Sequence, residues 1–129
     1  MKEYKIQEHF QEGDEIHSFA LPVYEFEEDG VFFVYAPSLD ITGYDTTPEG
    51  ARKSFDIILR EFVKFTTSNG TLVKELKRLG WKVKSRKKGL LVTAPPIVDL
   101  LRSNRQFKNL LENKDYHTTR KSVDLDLVA

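Results

Sequence analysis

A chain of 129 residues, 40% hydrophobic and 12% aromatic, suits one domain, since two independent cores would each fall near the lower limit for stable folding. The absence of cysteine excludes disulfides and thiolate metal sites and fits a cytoplasmic protein. No run approaches the roughly 18 apolar residues of a membrane span, and the first 20 residues are too acidic and broken for a secretory leader. The expectation is a soluble single domain.

The formal net charge of zero conceals a segregation. Residues 1–50 hold 2 Lys/Arg against 12 Asp/Glu, residues 51–121 hold 18 against 6, and Asp124 and Asp126 close the balance. Such asymmetry either steers a charged partner or is neutralised internally where acidic strands face basic helices.

Residues 1–15 show no period and read as an N-terminal arm. From Ile16 to Phe26, His17, Phe19, Leu21 and Val23 alternate with Ser18, Ala20 and Pro22, the pattern of a half-buried strand. Pro22 lacks a ladder donor, so this strand lies at an edge or pairs on one side only there. Glu27-Glu28-Asp29-Gly30 reads as a turn, VFFVYA (residues 31–36) as a central strand, and residues 41–45 as a short third strand. Thr47-Pro48-Glu49 opens a helix with a capping hydroxyl, a first-turn proline and a carboxylate at the positive dipole end. Its inward stripe is Ala51, Phe55, Ile58, Leu59, Phe62 and Val63, and Gly50 implies close backbone packing. Ser68-Asn69-Gly70 ends it. Thr71 then caps a second helix with Leu72, Val73, Leu76 and Leu79 inward and Gly80 as terminator. A basic hairpin follows, Trp81 to Lys84 and LLVTA (residues 90–94) flanking an Arg86-Lys87-Lys88-Gly89 turn. Beyond Pro95-Pro96, residues 97–101 and 107–111 read as short helices separated at Ser103-Asn104, and the terminal VDLDLVA as a strand docking on this molecule or another.

The segment YAPSLDITGYDTTPEGARKSF (residues 35–55) resembles the signature of HicB-family antitoxins, with Pro37, Leu39, Gly43, Thr47, Glu49 and Ala51 at the matching places. The resemblance is good over residues 16–65, weaker to Ala94 and absent beyond. It implies an α+β, partly degraded ribonuclease-H-like fold: a three-stranded antiparallel sheet in β-β-β-α order, packed helices and a further strand or hairpin. The predicted organisation is thus an arm (1–15), a HicB-like domain (16–94) and a C-terminal extension with short helices and a terminal strand (95–129). The resemblance further implies a partner, a small HicA-like ribonuclease toxin encoded beside it. Residues 95–129 lack the continuous periodicity of the helix-turn-helix that many family members carry. LKRLGWKVKSRKKG (residues 76–89) is similar to a helix-glycine-tryptophan-strand element of the HicA toxins, but Leu90 and Leu91 follow where those toxins place the approach to their catalytic histidine.

Catalysis of the ribonuclease-H type needs carboxylates converging on two metal ions. Asp40, Asp45 and Glu49 are better explained by a turn and a helix start, and His9, His17 and His117 lack metal-ligand spacing, so no cofactor, metal or catalytic residue is expected. Trp81 and Phe65 belong more economically in a core than on a stacking platform. Two surfaces remain. Glu25, Glu27 and Glu28, with Asp29, form a candidate acidic face for a basic ribonuclease. Val123, Leu125 and Leu127 are the terminal-strand candidates for adding to a partner's sheet or to a second copy, giving a homodimer or higher homo-oligomer. One alternative is a nucleic-acid-binding or regulatory module working through Lys82, Lys84, Arg86, Lys87 and Lys88, whose bland reading is a solvated hairpin that deters edge-to-edge aggregation; another is an orphan HicB-like domain that keeps only the fold.

Overall fold

The computed structural model describes residues 18–86 and 89–124; the arm, His9, His17, Lys87, Lys88, Leu125 and Leu127 lie outside them. The chain runs β1 (Ser18–Glu28), β2 (Val31–Ala36), β3 (Ile41–Asp45), α1 (Pro48–Ser68), α2 (Leu72–Arg78), β4 (Lys82–Arg86), β5 (Gly89–Thr93), α3 (Ile97–Ser103), α4 (Arg105–Asn113) and β6 (Tyr116–Asp124). The class is α+β. The sheet has four antiparallel strands in the order β3-β2-β1-β6, not three, and β4 and β5 pair separately as a hairpin. The further strand or hairpin expected after the main helix is this separate hairpin, and the C-terminal strand fills the sheet edge, antiparallel to β1.

The first hairpin turns on two residues, Asp29 (φ 55°) and Gly30 (φ 81°), so β1 runs on to Glu28, two residues into the four-residue turn expected from sequence. Positive φ at both central positions is what a tight hairpin matching the strand twist requires. This register sets Phe26 opposite Phe33 and Glu28 opposite Val31. Pro22 sits where β1 has one neighbour: it pairs with Arg120 of β6, and pairing with β2 starts only at Tyr24. The missing donor thus costs the ladder nothing on the β2 side.

One sheet face carries Leu21, Val23, Val34, Ala36 and Ile41, which pack against Ala51, Phe55, Leu59 and Val63 of α1. Thr47 caps α1 by accepting from the Gly50 amide at 2.9 Å, and Pro48 occupies the first turn. Gly43 permits the closest contact between the layers, because a Cβ there would lie 2.3 Å from the Phe55 amide nitrogen. A Cβ on Gly50 would meet the Asp45 side chain instead. The inward stripe of α1 is narrower than its sequence suggests. Ile58 is 38% exposed and Phe65 is 68% exposed, because the sheet contacts only the strip centred on Phe55, Leu59 and Val63.

The second face is covered as well, so β1 is not half-buried: Pro22 and Tyr24 are as enclosed as Leu21 and Val23. Here Tyr24 and Tyr35 meet Leu100, Phe107 and Leu110 from α3 and α4. The segment after Pro95, read as an extension, supplies this second core and, through β6, the sheet edge. Asn104 caps α4, its Oδ1 accepting from the Phe107 amide at 3.0 Å. Thr71, in contrast, makes no capping bond to α2; its hydroxyl donates to the Thr66 carbonyl at 3.4 Å. Gly80 (φ 97°) ends that helix and delivers Trp81 into the main core, where Nε1 donates to the Ser38 carbonyl at 2.7 Å. Leu76, Trp81, Val92 and Ala94 belong to the same cluster, which fixes the β4–β5 hairpin to the body.

Candidate docking surfaces

Strand periodicity separates the expected acidic face. Glu25 points toward α1 and is bound by Arg52, with contacts of 2.9, 3.2 and 3.2 Å. That pairing raises the Arg52 pKa above its ordinary value, the hydrogen bond to Glu25 contributing most. Glu28 points to the opposite face and meets Lys114 at 3.3 Å. Glu27 and Asp29 remain exposed at the hairpin tip. The group is therefore a tip with carboxylates on two sides, not one face, because successive side chains alternate along a strand.

Val123 is 4% exposed and sits in the main core opposite Phe19 of β1. It is a structural residue of this molecule, which removes it from the partner-binding candidates. Of the terminal VDLDLVA run, Val123 and Asp124 are the described residues, and both fall within β6. The strand starts seven residues earlier than that run, at Tyr116, because pairing with Phe26 extends the ladder to the hairpin end of β1.

A row of aromatic side chains lies on the α4 side of the sheet near the same hairpin, half-buried at Phe26 and Phe33 and exposed at Tyr44. Phe26 and Phe33 stack with centroids 5.1 Å apart and planes inclined by 15°. Phe33 continues to Tyr44 at 6.1 Å, and Tyr44 is 62% exposed. Between this row and α4 runs a cleft of about 300 Å³ lined by Phe26, Glu28, Phe33, Tyr35, Thr42, Gln106, Asn109, Leu110 and Lys114. Its floor is closed by Tyr35, whose hydroxyl accepts from Asn104 at 2.6 Å and donates to Asp40 at 3.4 Å. Burial pushes the Tyr35 phenol up to about 12; the Asn104 bond opposes that rise and the Asp40 charge adds to it. Strand alternation alone does not single out Phe26, Phe33 and Tyr44. Their signal was a register, readable only once the turn is placed at Asp29-Gly30.

The carboxylates weighed for metal chemistry have other tasks. Asp45 Oδ1 accepts from the Thr46 amide at 2.6 Å, and Asp40 holds a left-handed turn at φ 57°. Among the described residues no group of three His, Asp or Glu side chains is placed to hold a metal ion, and no described helix is long and apolar enough to cross a membrane. His117 is exposed on β6.

Lys82 and Lys84 are both exposed on one face of β4, while Val83 between them packs on the core. Arg86 ends the strand, opposite Gly89. No protein-family model, curated protein or solved structure matches the chain.

Proposed function

We propose that the protein is a HicB-like antitoxin, which acts by docking onto a small basic ribonuclease rather than by chemistry of its own. The observation that carries this reading is the aromatic row Phe26–Phe33–Tyr44, half-buried at its phenylalanines and exposed at Tyr44, beside the acidic hairpin tip of Glu27 and Asp29. Desolvated aromatics form the centres of protein interfaces, and a charged rim of opposite sign accelerates encounter. The residues shared with the HicB signature support the same reading at one remove. Gly43, Thr47 and Ala51 set strand β3 onto helix α1, and so fix where Tyr44 stands.

The deciding experiment mixes the protein with the small ribonuclease encoded by the adjacent gene and follows RNA cleavage. Inhibition near equimolar ratio is expected, and Phe33→Glu or Tyr44→Glu should relieve it while the variants remain folded. Undiminished cleavage at molar excess of the native protein would reject the proposal.

A further inference from the structure

The charge segregation is resolved unevenly in three dimensions. Around the sheet, opposite charges on neighbouring elements meet: Glu25 with Arg52, Glu28 with Lys114, and Asp56 with Lys121 at 2.7 Å. Residues 71–94 have no such balance. They hold eight Lys/Arg and one acid, Glu75. Arg78 already binds that carboxylate, and the hydrogen bond it donates holds the Glu75 pKa below the ordinary glutamate value. Lys74, Lys77, Lys82 and Lys84 are all exposed, and none is ion-paired with a described residue.

Their placement is rigid. Lys74 and Lys77 are one turn apart on α2, whose opposite side buries Leu76. Lys82 and Lys84 share the outer face of β4, and Gly80 with buried Trp81 joins the two elements directly. Among the side chains described, the exposed large apolar ones, Tyr44, Ile57, Ile58, Phe65, Val98 and Tyr116, all lie outside residues 71–94.

We infer that the α2–β4 surface binds the phosphodiester backbone of a nucleic acid. Four ammonium groups on two adjoining elements, whose one neighbouring acid is already bound by Arg78, recognise an array of phosphates and carry no base readout. The affinity then comes from counterion release, with a log–log salt slope of about −3.5 on duplex if all four lysines engage, and nearer −3 on a single strand. This surface is separate from the aromatic row, so the inference stands or falls independently of antitoxin action.

The test is fluorescence anisotropy of the full chain with two labelled probes of mixed sequence, a DNA duplex and a single-stranded RNA, over a salt series. The native protein should bind at least one probe at low salt with a slope of that order. The set Lys74→Glu, Lys77→Glu, Lys82→Glu and Lys84→Glu should lower affinity by at least about tenfold and flatten the slope, with thermal melting confirming the fold. A Lys→Gln set at the same positions should do so more gently, and serves if the reversed set does not fold. A control of equal charge change, Lys53→Glu, Arg60→Glu, Arg105→Glu and Lys108→Glu, should keep most of the affinity. No binding to either probe, equal loss in the control, unchanged binding by both lysine sets, or equal competition by polyglutamate would each overturn the inference.

Discussion

Tyr35 and Asn104, 69 positions apart in the chain, are joined by one 2.6 Å hydrogen bond at the seam between the sheet and the C-terminal helices. Asn104 serves twice: Nδ2 donates to the phenol and Oδ1 caps α4. One side chain therefore both starts the helix and pins it to β2. Asn104→Ala removes the cap and leaves the largely buried phenol without its donor, so a loss of about 2 kcal/mol is expected. Tyr35→Phe should cost about 1 kcal/mol. Because the two residues share a bond, the double variant should lose less than the sum of the singles, measurable by urea unfolding. Strict additivity would show that the bond contributes nothing.

The same phenol makes stability depend on alkaline pH. Its folded pKa, about 12, lies above the ordinary value of 10.0, so the folded state holds the proton more tightly than the unfolded chain. The stabilisation is complete below pH 10 and is lost as pH rises through 12. The readout is the stability of the native protein relative to Tyr35→Phe, which cancels every ionisation the two share. That difference should move against the native protein between pH 10 and 12 and stay flat below. Ultraviolet titration should show one late-ionising tyrosine fewer in the variant.

Much of the fold is local and was legible. Val31 to Ala36 and Ile41 to Asp45 are strands with the bounds their sequence suggests, and Thr47-Pro48 starts α1, because propensity, capping and hydrophobic period agree there. What sequence hid was non-local. Nothing near Tyr116 announces that β6 pairs with β1 across about 90 positions, and an expected three-stranded sheet becomes four-stranded on that account. The exposure of Phe65 and Ile58 is equally a tertiary outcome, since a helix that is apolar over a wide arc buries only what its neighbours cover. The candidate site suffered from a two-residue error. A turn placed over residues 27–30 sets Phe26 opposite Val31, whereas the observed turn stacks it on Phe33 and builds the aromatic row. The basic hairpin was visible from composition alone; that its lysines share a face with Val83 turned inward needed only strand alternation, whereas the contribution of α2 needed the structure.

Two glycines near the start of α1 separate a backbone contact from a side-chain contact. At Gly43 an added Cβ meets the amide nitrogen and Cα of Phe55, at 2.3 and 2.5 Å, which no rotamer change relieves. Strand and helix must part, and Gly43→Ala should cost about 3 kcal/mol. At Gly50 the obstacle is the Asp45 carboxyl, a group able to swing away, and alanine gains about 1 kcal/mol in helix propensity. Gly50→Ala should therefore be far milder. Thermal unfolding that ranks the two variants the other way would show that β3 does not rest on α1 as described.

Ser38 and Trp81 give a pair of opposite expectations at one contact. The indole donates to the Ser38 carbonyl in the core, while the Ser38 hydroxyl, on a residue only 1% exposed, has no hydrogen-bond partner among the described residues. An unsatisfied buried hydroxyl costs free energy, so Ser38→Ala should hold or raise stability, by about 1 kcal/mol. Trp81→Phe keeps an aromatic ring but strands the buried carbonyl and leaves a void, and should cost about 3 kcal/mol. Trp81 is the single tryptophan of the chain, so its emission reports this contact directly. In the native protein and in Ser38→Ala it should be blue-shifted and resistant to acrylamide, turning red on unfolding. A Ser38→Ala variant that melts well below the native protein would mean the hydroxyl is satisfied, and that the Pro37–Asp40 turn depends on it.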